Sequence, residues 1–218
     1  MALSRSTEDY IKAIYRLEQE RSPVATSALA RLLRVGDGSV SGMIKKLSRE
    51  RLVRHEPYRG VSLTPAGFRL ALDMVRRHRL WEMFLVRYLG YEWDAIHDEA
   101  ERLEHATSDE LLRRLDALLG HPAADPHGDP IPDRHGALRG VSRENLSACS
   151  AGQTVRIVRI SDGNRDLLTH AREEGLLLRR ILTVRKKLPV DGSILVKMGR
   201  REIFLSKIVA DAIFVEPA

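Results

Sequence analysis

The first 63 residues contain three segments with apolar residues at helical spacing, followed by two short extended runs. The second and third helical segments are predicted over residues 25–33 and 39–50, and the turn Val35-Gly36-Asp37-Gly38 separates them. The extended runs, residues 52–56 and 60–63, are joined by a short polar tip, which predicts a β-hairpin. This order predicts a winged helix-turn-helix, in which the helix after the turn enters the major groove of DNA.

Small and basic residues are exposed on the helix that follows the turn. Small side chains at its beginning allow close approach to base edges, whereas lysines suit phosphates, which position a protein without reading sequence. An aromatic and a basic residue at the hairpin tip can reach a flanking groove or the backbone. The predicted DNA-contacting residues are Ser39, Ser41, Gly42, Lys45, Lys46, Tyr58 and Arg59. The alternative is a winged helix that binds a protein.

The charge changes sign twice along the chain. Residues 1–80 carry a formal charge of +8, residues 81–150 carry −7, and residues 151–218 carry +5. The basic first part predicts a polyanionic partner. The acidic middle part also contains most of the histidines, which indicates binding of cations, although three ordinary domains with solvated faces would give the same totals.

The rest of the chain divides into helical and β-rich parts. Long helices are predicted over residues 65–88, 93–106 and 108–119, and apolar helices beyond a DNA-binding module commonly form a homodimer. Prolines and glycines predict a partly ordered linker, and alternating segments after it predict an SH3-like β-barrel. The fold class is mainly α with a small β domain. The predicted domains are a winged helix (1–73), a helical metal-binding and dimerisation domain (74–121), the linker (122–150) and an SH3-like domain (151–218).

The segment HDEAERLEH, residues 97–105, predicts a metal site. On a helix, His97, Glu101, Glu104 and His105 share one face beside an apolar stripe. The preceding helix repeats the pattern with His78 and Glu82 four residues apart, and Asp9 lies near the start of the first helix. Carboxylates that pack together repel one another, and a divalent cation removes that repulsion. Imidazole and carboxylate ligands without thiolate favour manganese or ferrous iron.

These side chains have two other interpretations. They could form ordinary ion pairs on solvated helices, or they could build a di-metal hydrolase. The sequence contains no HExxH motif, no nucleophile elbow and no phosphate-binding loop. A basic winged helix joined to the acidic segment therefore favours a regulator over an enzyme.

Neither a membrane span nor a disulfide is predicted. No apolar run is long enough to cross a bilayer, and the N-terminus lacks the apolar stretch of a signal peptide. The single cysteine, Cys149, cannot form an intrachain disulfide. We therefore expect a cytoplasmic location.

Together, several motifs resemble the diphtheria toxin repressor family of metal-dependent regulators, and its manganese-responsive branch in particular. The resemblance covers nearly the whole chain and includes a C-terminal SH3-like (FeoA-like) domain. It implies a homodimer that binds double-stranded operator DNA and represses metal homeostasis genes when metal is bound. The motifs are STEDYIKAIYRL, VGDGSVSGMIKKLSRERLV, EPYRGVSLTPAG, RRHRLWEMFL, HDEAERLEHATSDE and PHGDPIP.

The resemblance also implies two metal sites per subunit. The first site matches Asp9, Glu101, Glu104 and His105. The second matches His78, Glu82 and His97, with linker ligands at Asp125 and His127 and a carboxylate of the C-terminal domain, for which Asp162 is the first candidate and Asp166 the second. Iron-responsive members have methionine and cysteine at the positions of Asp9 and Glu101, so the oxygen donors here favour Mn(II), with Fe(II) as the alternative.

The sequence departs from the manganese-responsive pattern at one position of the first helix. Shorter members with a binuclear manganese site have a further glutamate one turn after the aspartate, and this chain has Lys12 there. That binuclear arrangement is therefore not expected, and Lys12 is a candidate partner for a carboxylate of the site.

Overall fold

A computed structural model describes residues 4–138, 140 and 144–218. The described part of the chain contains an N-terminal helix-turn-helix, further helices and a C-terminal antiparallel sheet. The predicted fold class, mainly α with a small β domain, is confirmed. Internal contacts divide the chain into two compact units, and each unit combines segments that are distant in sequence.

The first unit comprises residues 1–78, 101–112 and 132–137. It holds three short helices, a two-stranded hairpin and the first half of a long helix. It also contains the end of a fifth helix and the beginning of a sixth. The elements are α1 (Arg5–Glu18), α2 (Thr26–Leu33), α3 (Asp37–Arg49), β1 (Val53–Glu56), β2 (Gly60–Leu63), α4 (Pro65–Leu89), α5 (His97–Glu104) and α6 (Asp109–Leu119).

Local signals set the ends of the helices in the helix-turn-helix. The hydroxyl of Ser4 accepts a hydrogen bond from the backbone N–H of Thr7 and caps α1. Arg34 adopts a left-handed conformation (φ 54°) that ends α2. Helix α3 begins at Asp37, two residues earlier than predicted, because Gly36 serves as its N-cap. The turn between the two helices is therefore shorter than the sequence pattern indicated.

The apolar stripes of these helices meet in a single core. Ile11 and Ile14 of α1, Leu29 of α2, and Val40 and Ile44 of α3 are fully or almost fully buried in it. Burial of such side chains is the main source of stability of a small domain. The opposite face of α3 thereby stays exposed.

The hairpin that follows α3 is the wing. Its strands pair antiparallel from Val53 opposite Leu63 to Glu56 opposite Gly60. Val61 also pairs with Val24, which joins the hairpin to the segment before α2. The side chain of Tyr58, at the tip, is fully exposed.

The second unit comprises residues 79–100, 113–131 and 138–218. Helix α5 begins at His97 instead of residue 93, because residues 93–95 form a turn. The C-terminal part of the unit contains a short 3-10 turn, five strands and two helices. These are the turn (Leu146–Ala148), β3 (Thr154–Ile160), α7 (Arg165–Glu174), β4 (Ile181–Lys187), β5 (Ile194–Met198), β6 (Arg201–Leu205), α8 (Lys207–Ala212) and β7 (Ile213–Pro217).

The five strands form one antiparallel sheet in the order β6-β5-β4-β3-β7. Ile160 pairs with Ile213 at the end of β3. Ile194, at the start of β5, pairs with Leu205, at the end of β6. Their buried faces form the core of this unit. Helix α8 and strand β7 were not predicted, although β7 supplies the last strand of the sheet.

The prediction of a partly ordered linker was wrong for residues 122–131. Asp125, His127, Asp129 and Ile131 are all buried. The segment folds back on itself, and the carbonyl of His127 accepts a hydrogen bond of 2.9 Å from the N–H of Ile160. Because buried backbone groups need hydrogen-bond partners, these bonds hold the segment as an ordered loop.

In the described residues, every helix is too short or too polar to cross a membrane.

Candidate metal centres

The first candidate centre lies in the first unit, where α1 meets the end of α5. Asp9 projects from α1, Glu101 projects from α5, and His105 directly follows α5. One ligand atom of each lies within 4.8 Å of the others. These are three of the four residues predicted for the first site, and their atoms are close enough to share one metal ion.

His105 is oriented by Glu8, a residue that was not predicted from the sequence. The ring Nδ1 of His105 lies 2.7 Å from Glu8 Oε2, and a carboxylate accepts a proton donor, so Nδ1 carries the hydrogen. In the neutral form of His105, the form that can bind a metal, the other nitrogen, Nε2, presents a lone pair 2.9 Å from Asp9 Oδ1. Both atoms are buried without a hydrogen-bond partner among the described residues. Two facing acceptors of this kind are what a shared cation would stabilise.

Glu104, the fourth predicted ligand, faces the ammonium group of Lys12. Its two carboxylate oxygens each lie 2.9 Å from Lys12 Nζ, and Glu104 is fully buried. The same Nζ lies 2.6 Å from Glu101 Oε2 and 3.2 Å from His78 Nδ1. His78 Nδ1 also lies 2.5 Å from Glu104 Oε2. His78 was predicted for the second site, but these contacts are with residues of the first.

The carboxylates of this centre lie close together, and they shift the pKa values of neighbouring groups. Burial raises the pKa of Asp9 above its ordinary value, His105 and Arg5 lower it, and Glu101 and Glu104 raise it further. Burial alone would lower the pKa of Lys12, but Glu104 and Glu101 raise it above its ordinary value. Lys12 is therefore a cation in contact with two carboxylates.

The second candidate centre lies in the second unit. Glu82 of α4, His127 of the linker and Asp162 of the loop after β3 have ligand atoms within 4.8 Å of one another. Glu82 and His127 are buried, and Asp162 is half-buried. All three were predicted from the sequence, and the ordered linker brings His127 to the group.

The orientation of His127 suits a metal ligand. Its Nε2 lies 2.7 Å from the backbone carbonyl of Trp93, so Nε2 carries the hydrogen and Nδ1 is left with a lone pair. Nδ1 is buried and has no hydrogen-bond partner in the described residues. A histidine that donates from one nitrogen to a carbonyl and coordinates through the other is typical of metal sites.

Two further buried carboxylates surround this centre. Asp125 Oδ1 accepts hydrogen bonds of 2.9 Å from the N–H groups of His127 and Asp129, which fixes the loop. Burial, followed by repulsion from Glu82 and Asp129, raises the pKa of Asp125 well above its ordinary value, although Arg79 lowers it. Burial also raises the pKa of Asp129. Asp129 was not predicted from the sequence, although it lies two residues after His127, at the same spacing as Asp125 and His127.

His97 lies at the edge of the second centre. Its Nδ1 is 3.7 Å from Glu82 Oε1, and about half of its side chain is exposed. His97 is therefore within reach of Glu82, but it is not part of the Glu82, His127 and Asp162 group.

The predicted DNA-contacting residues of α3 are placed on its open face. Ser39, Ser41, Gly42 and Lys45 are exposed. Lys46 is half-buried, and its Nζ donates a hydrogen bond of 3.1 Å to the hydroxyl of Thr7. Lys46 therefore differs from Lys45, because it is already engaged inside the domain.

Arg59 at the wing tip is largely exposed as well. Its guanidinium lies 3.3 Å from the carboxylate of Glu56, an exposed pair of the kind that contributes little to stability. Together with the exposed Tyr58, it leaves the tip open to a partner.

Comparison with protein families divides the chain into three matched regions. Residues 2–61 match the N-terminal DNA binding domain of iron dependent repressors, and residues 64–133 match their metal binding and dimerisation domain. Residues 144–217 match the FeoA domain. The iron-dependent repressor IdeR of Mycobacterium tuberculosis is 32% identical over 97% of this chain and 96% of its own length. The chain belongs to the iron-dependent repressor family.

Other relatives and solved structures are similar to this chain over different lengths. The diphtheria toxin repressor of Corynebacterium glutamicum is 38% identical over 58% of this chain and 56% of its own length. A manganese-dependent transcriptional repressor in complex with manganese is 41% identical, with a TM-score of 0.90 over 97% of this chain and 100% of that structure. ScaR with bound Cd²⁺ is 34% identical, with a TM-score of 0.84 over 97% and 99%.

Membership of the iron-dependent repressor family establishes the general function. The chain is a metal-dependent, DNA-binding transcriptional repressor with a dimerisation domain. The prediction of a regulator in place of a di-metal hydrolase is confirmed, because the matched relatives are repressors.

Proposed function

We propose that this repressor responds to Mn(II), and that the ion binds at both candidate centres and switches operator binding on. The observation that carries the proposal is the first centre. Buried Asp9 Oδ1 and His105 Nε2 face each other at 2.9 Å without hydrogen-bond partners, with Glu101 beside them. A divalent cation between them would satisfy both acceptors.

The choice of manganese follows from the donor atoms. All the proposed ligands offer carboxylate oxygen or imidazole nitrogen, a set that suits Mn(II) and Fe(II) better than softer metals. The single cysteine, Cys149, is buried in the core of the sheet instead. Several similar structures are described as manganese-dependent or manganese-activated repressors, and several relatives as iron-dependent repressors, so Fe(II) is the second candidate.

The first centre provides a direct route from metal to DNA. Asp9 lies on α1, whose buried face packs in the same core as the recognition helix α3. An ion shared by Asp9, Glu101, His105 and, after rearrangement, Glu104 would tie α1 to the end of α5. In a homodimer this fixes the position of each winged helix on a two-fold operator. Metal then acts through its higher affinity for the DNA-competent state.

The second centre would serve to fix the linker. We assign Glu82, His127 and Asp162 as its ligands, with His97 and Asp125 as neighbours that complete or shape it. Mn(II) here would neutralise a buried acidic cluster whose repulsion otherwise opposes the folded loop. His78 is assigned to the first centre instead, on the basis of its contacts with Glu104 and Lys12.

The proposed DNA-contacting surface is the open face of α3 together with the wing tip. Exposed Ser39, Ser41 and Gly42 are placed for base edges, whereas Lys45 is placed for phosphate. Tyr58 and Arg59 extend the surface to a flanking groove. Lys46 contributes less than Lys45, because it donates to Thr7. We further propose the cytoplasm as the location and the four domain ranges 1–73, 74–121, 122–150 and 151–218.

Gel shifts with operator DNA across a panel of metals test this function. We expect binding with Mn(II), weaker or equal binding with Fe(II) under anaerobic conditions, and loss of the shift with chelator. Asp9→Asn should abolish the metal-activated shift and leave a folded dimer, with Asp73→Asn as a matched control on α4. Sequence-specific binding that persists in chelator would contradict the proposed switch.

A further inference from the structure

Lys12 occupies the position of a cation next to the proposed first metal ion. Its ammonium group contacts four atoms between 2.6 and 3.2 Å: Glu101 Oε2, both oxygens of Glu104, and His78 Nδ1. Carboxylate oxygens and an imidazole nitrogen around one centre form the ligand set that a divalent metal would take. An ammonium group has three hydrogens to donate and no lone pair, so it fills this set as a cation.

The two cation positions share one carboxylate. Glu101 belongs to the group with Asp9 and His105, and its Oε2 also lies 2.6 Å from Lys12 Nζ. Lys12 and Asp9 are one turn apart on α1, so both side chains reach α5 from the same face. One position is thus filled by the protein itself, and the other is open to metal.

We propose that Lys12 is a built-in cation that replaces a second metal ion at the first centre. It holds Glu101 and Glu104 together in the metal-free protein and limits this centre to one ion. The limit of one ion rests on the proposed function, because it assumes the metal site. The holding of Glu101 and Glu104 by Lys12 concerns the metal-free protein and is tested without metal.

The absence of Lys12 would leave buried Glu104 and its neighbour Glu101 without their shared counterion. Removal of one partner from a buried ion pair is strongly destabilising, because the remaining charge is desolvated and uncompensated. Lys12→Gln should therefore lower the Tm of the metal-free protein by about 5–10 °C. Lys46→Gln is the matched control, since Lys46 is also half-buried in the same unit but donates to the neutral hydroxyl of Thr7.

Lys12→Glu tests the cation position itself. A glutamate side chain is one bond shorter than a lysine side chain, so its carboxylate can bind an ion placed near the present position of Nζ, at a metal–oxygen distance of about 2 Å. This variant should bind one more Mn(II) per chain than the wild type. It should also unfold more readily than Lys12→Gln in chelator, because a third carboxylate replaces the ammonium.

The experiment combines thermal unfolding of the full-length chain in chelator with Mn(II) titration followed by EPR of the free ion. The proposal is supported if the Tm falls for Lys12→Gln but not for Lys46→Gln, and if Lys12→Glu gains one ion. It is overturned if both glutamine variants unfold alike, or if the Tm falls and Lys12→Glu gains no ion. A wild-type chain that binds no Mn(II) at all would contradict the proposed function, whereas the unfolding comparison would still decide the role of Lys12.

Discussion

Gly128 connects the backbone of the linker to the second metal centre, and its substitution by alanine tests that connection. It has φ +89°, and a Cβ at this position would lie 2.1 Å from the carbonyl oxygen of Val158. A Cβ atom essentially never lies closer than 3.0 Å to a non-bonded heavy atom, so the backbones of Gly128 and Val158 must separate by about 0.9 Å. Gly128 lies next to His127, so that movement displaces the proposed ligand.

The free-energy change can be estimated from two contributions. A positive φ costs alanine about 1–2 kcal/mol relative to glycine. The displacement weakens the hydrogen bond from the N–H of Ile160 to the carbonyl of His127 and the two bonds to Asp125 Oδ1, at about 1 kcal/mol each. The total of about 4–5 kcal/mol corresponds to a Tm lower by about 10–20 °C in a chain of this size.

Gly120→Ala is the matched control for the backbone conformation. Gly120 has φ +76°, and a Cβ there meets no atom within 4 Å. It should lose about 1–2 kcal/mol and keep both metal centres. Gly128→Ala should in addition lose one Mn(II) per chain, because metal ligands tolerate displacements of only about 0.2 Å. Equal Tm values and equal Mn(II) stoichiometry for the two variants would refute the assigned role of the loop.

Three other outcomes are expected. Glu8→Gln should weaken Mn(II) binding at the first centre about 10–100-fold by loosening the orientation of His105, and an unchanged isotherm would exclude that role. Lys45→Gln should weaken binding to every DNA sequence and reduce the slope against log salt by about 1, whereas loss of a single base preference would contradict a phosphate contact. Because the pKa of Asp125 is raised in the folded, metal-free protein, this carboxyl group favours the folded state most at pH values below its ordinary pKa of 3.8. That contribution is lost as pH rises through the raised value, so Mn(II) should increase Tm more at neutral than at acidic pH; an increase independent of pH would disagree.

The winged helix could be predicted from the sequence because each of its signals is local. The glycines before α3, the apolar stripes of the helices and the short hairpin tip act within a few residues of the structure that they determine. The start of α3 was predicted at residue 39 instead of Asp37, because Gly36, which is the N-cap, was assigned to a longer turn. Element ends of this kind depend on capping geometry more than on periodicity.

The linker could not be predicted in the same way, because its order comes from distant residues. Proline and glycine indicate an irregular path, but not whether that path is buried. Here Arg79 donates to the carbonyl of Pro130, and the backbone of Ile160 binds that of His127. Helix α8 and strand β7 were missed for a related reason, since β7 pairs with β3, which lies some 50 residues earlier.

The candidate ligands were predictable as a set, but not their grouping. Helical spacing correctly placed Glu101 and Glu104 on α5, yet it gave no indication that Glu104 faces Lys12. Glu8 carries no pattern of its own, because an acidic residue in the first turn of a helix is common for helix stability alone. Only the contact between Glu8 and the ring of His105 in the folded protein indicates that Glu8 orients this histidine.

The charge balance of the two centres explains why a divalent ion is a suitable signal. The first combines four carboxylates with two cationic groups, from Glu8, Asp9, Glu101, Glu104, Lys12 and Arg5. The second combines four carboxylates with two guanidinium groups, from Glu82, Asp125, Asp129, Asp162, Arg79 and Arg159. Each centre thus has a formal excess of two negative charges, which one divalent cation neutralises. A monovalent ion leaves half of that excess uncompensated in a buried site, so charge alone favours a divalent metal before ligand geometry selects among such metals.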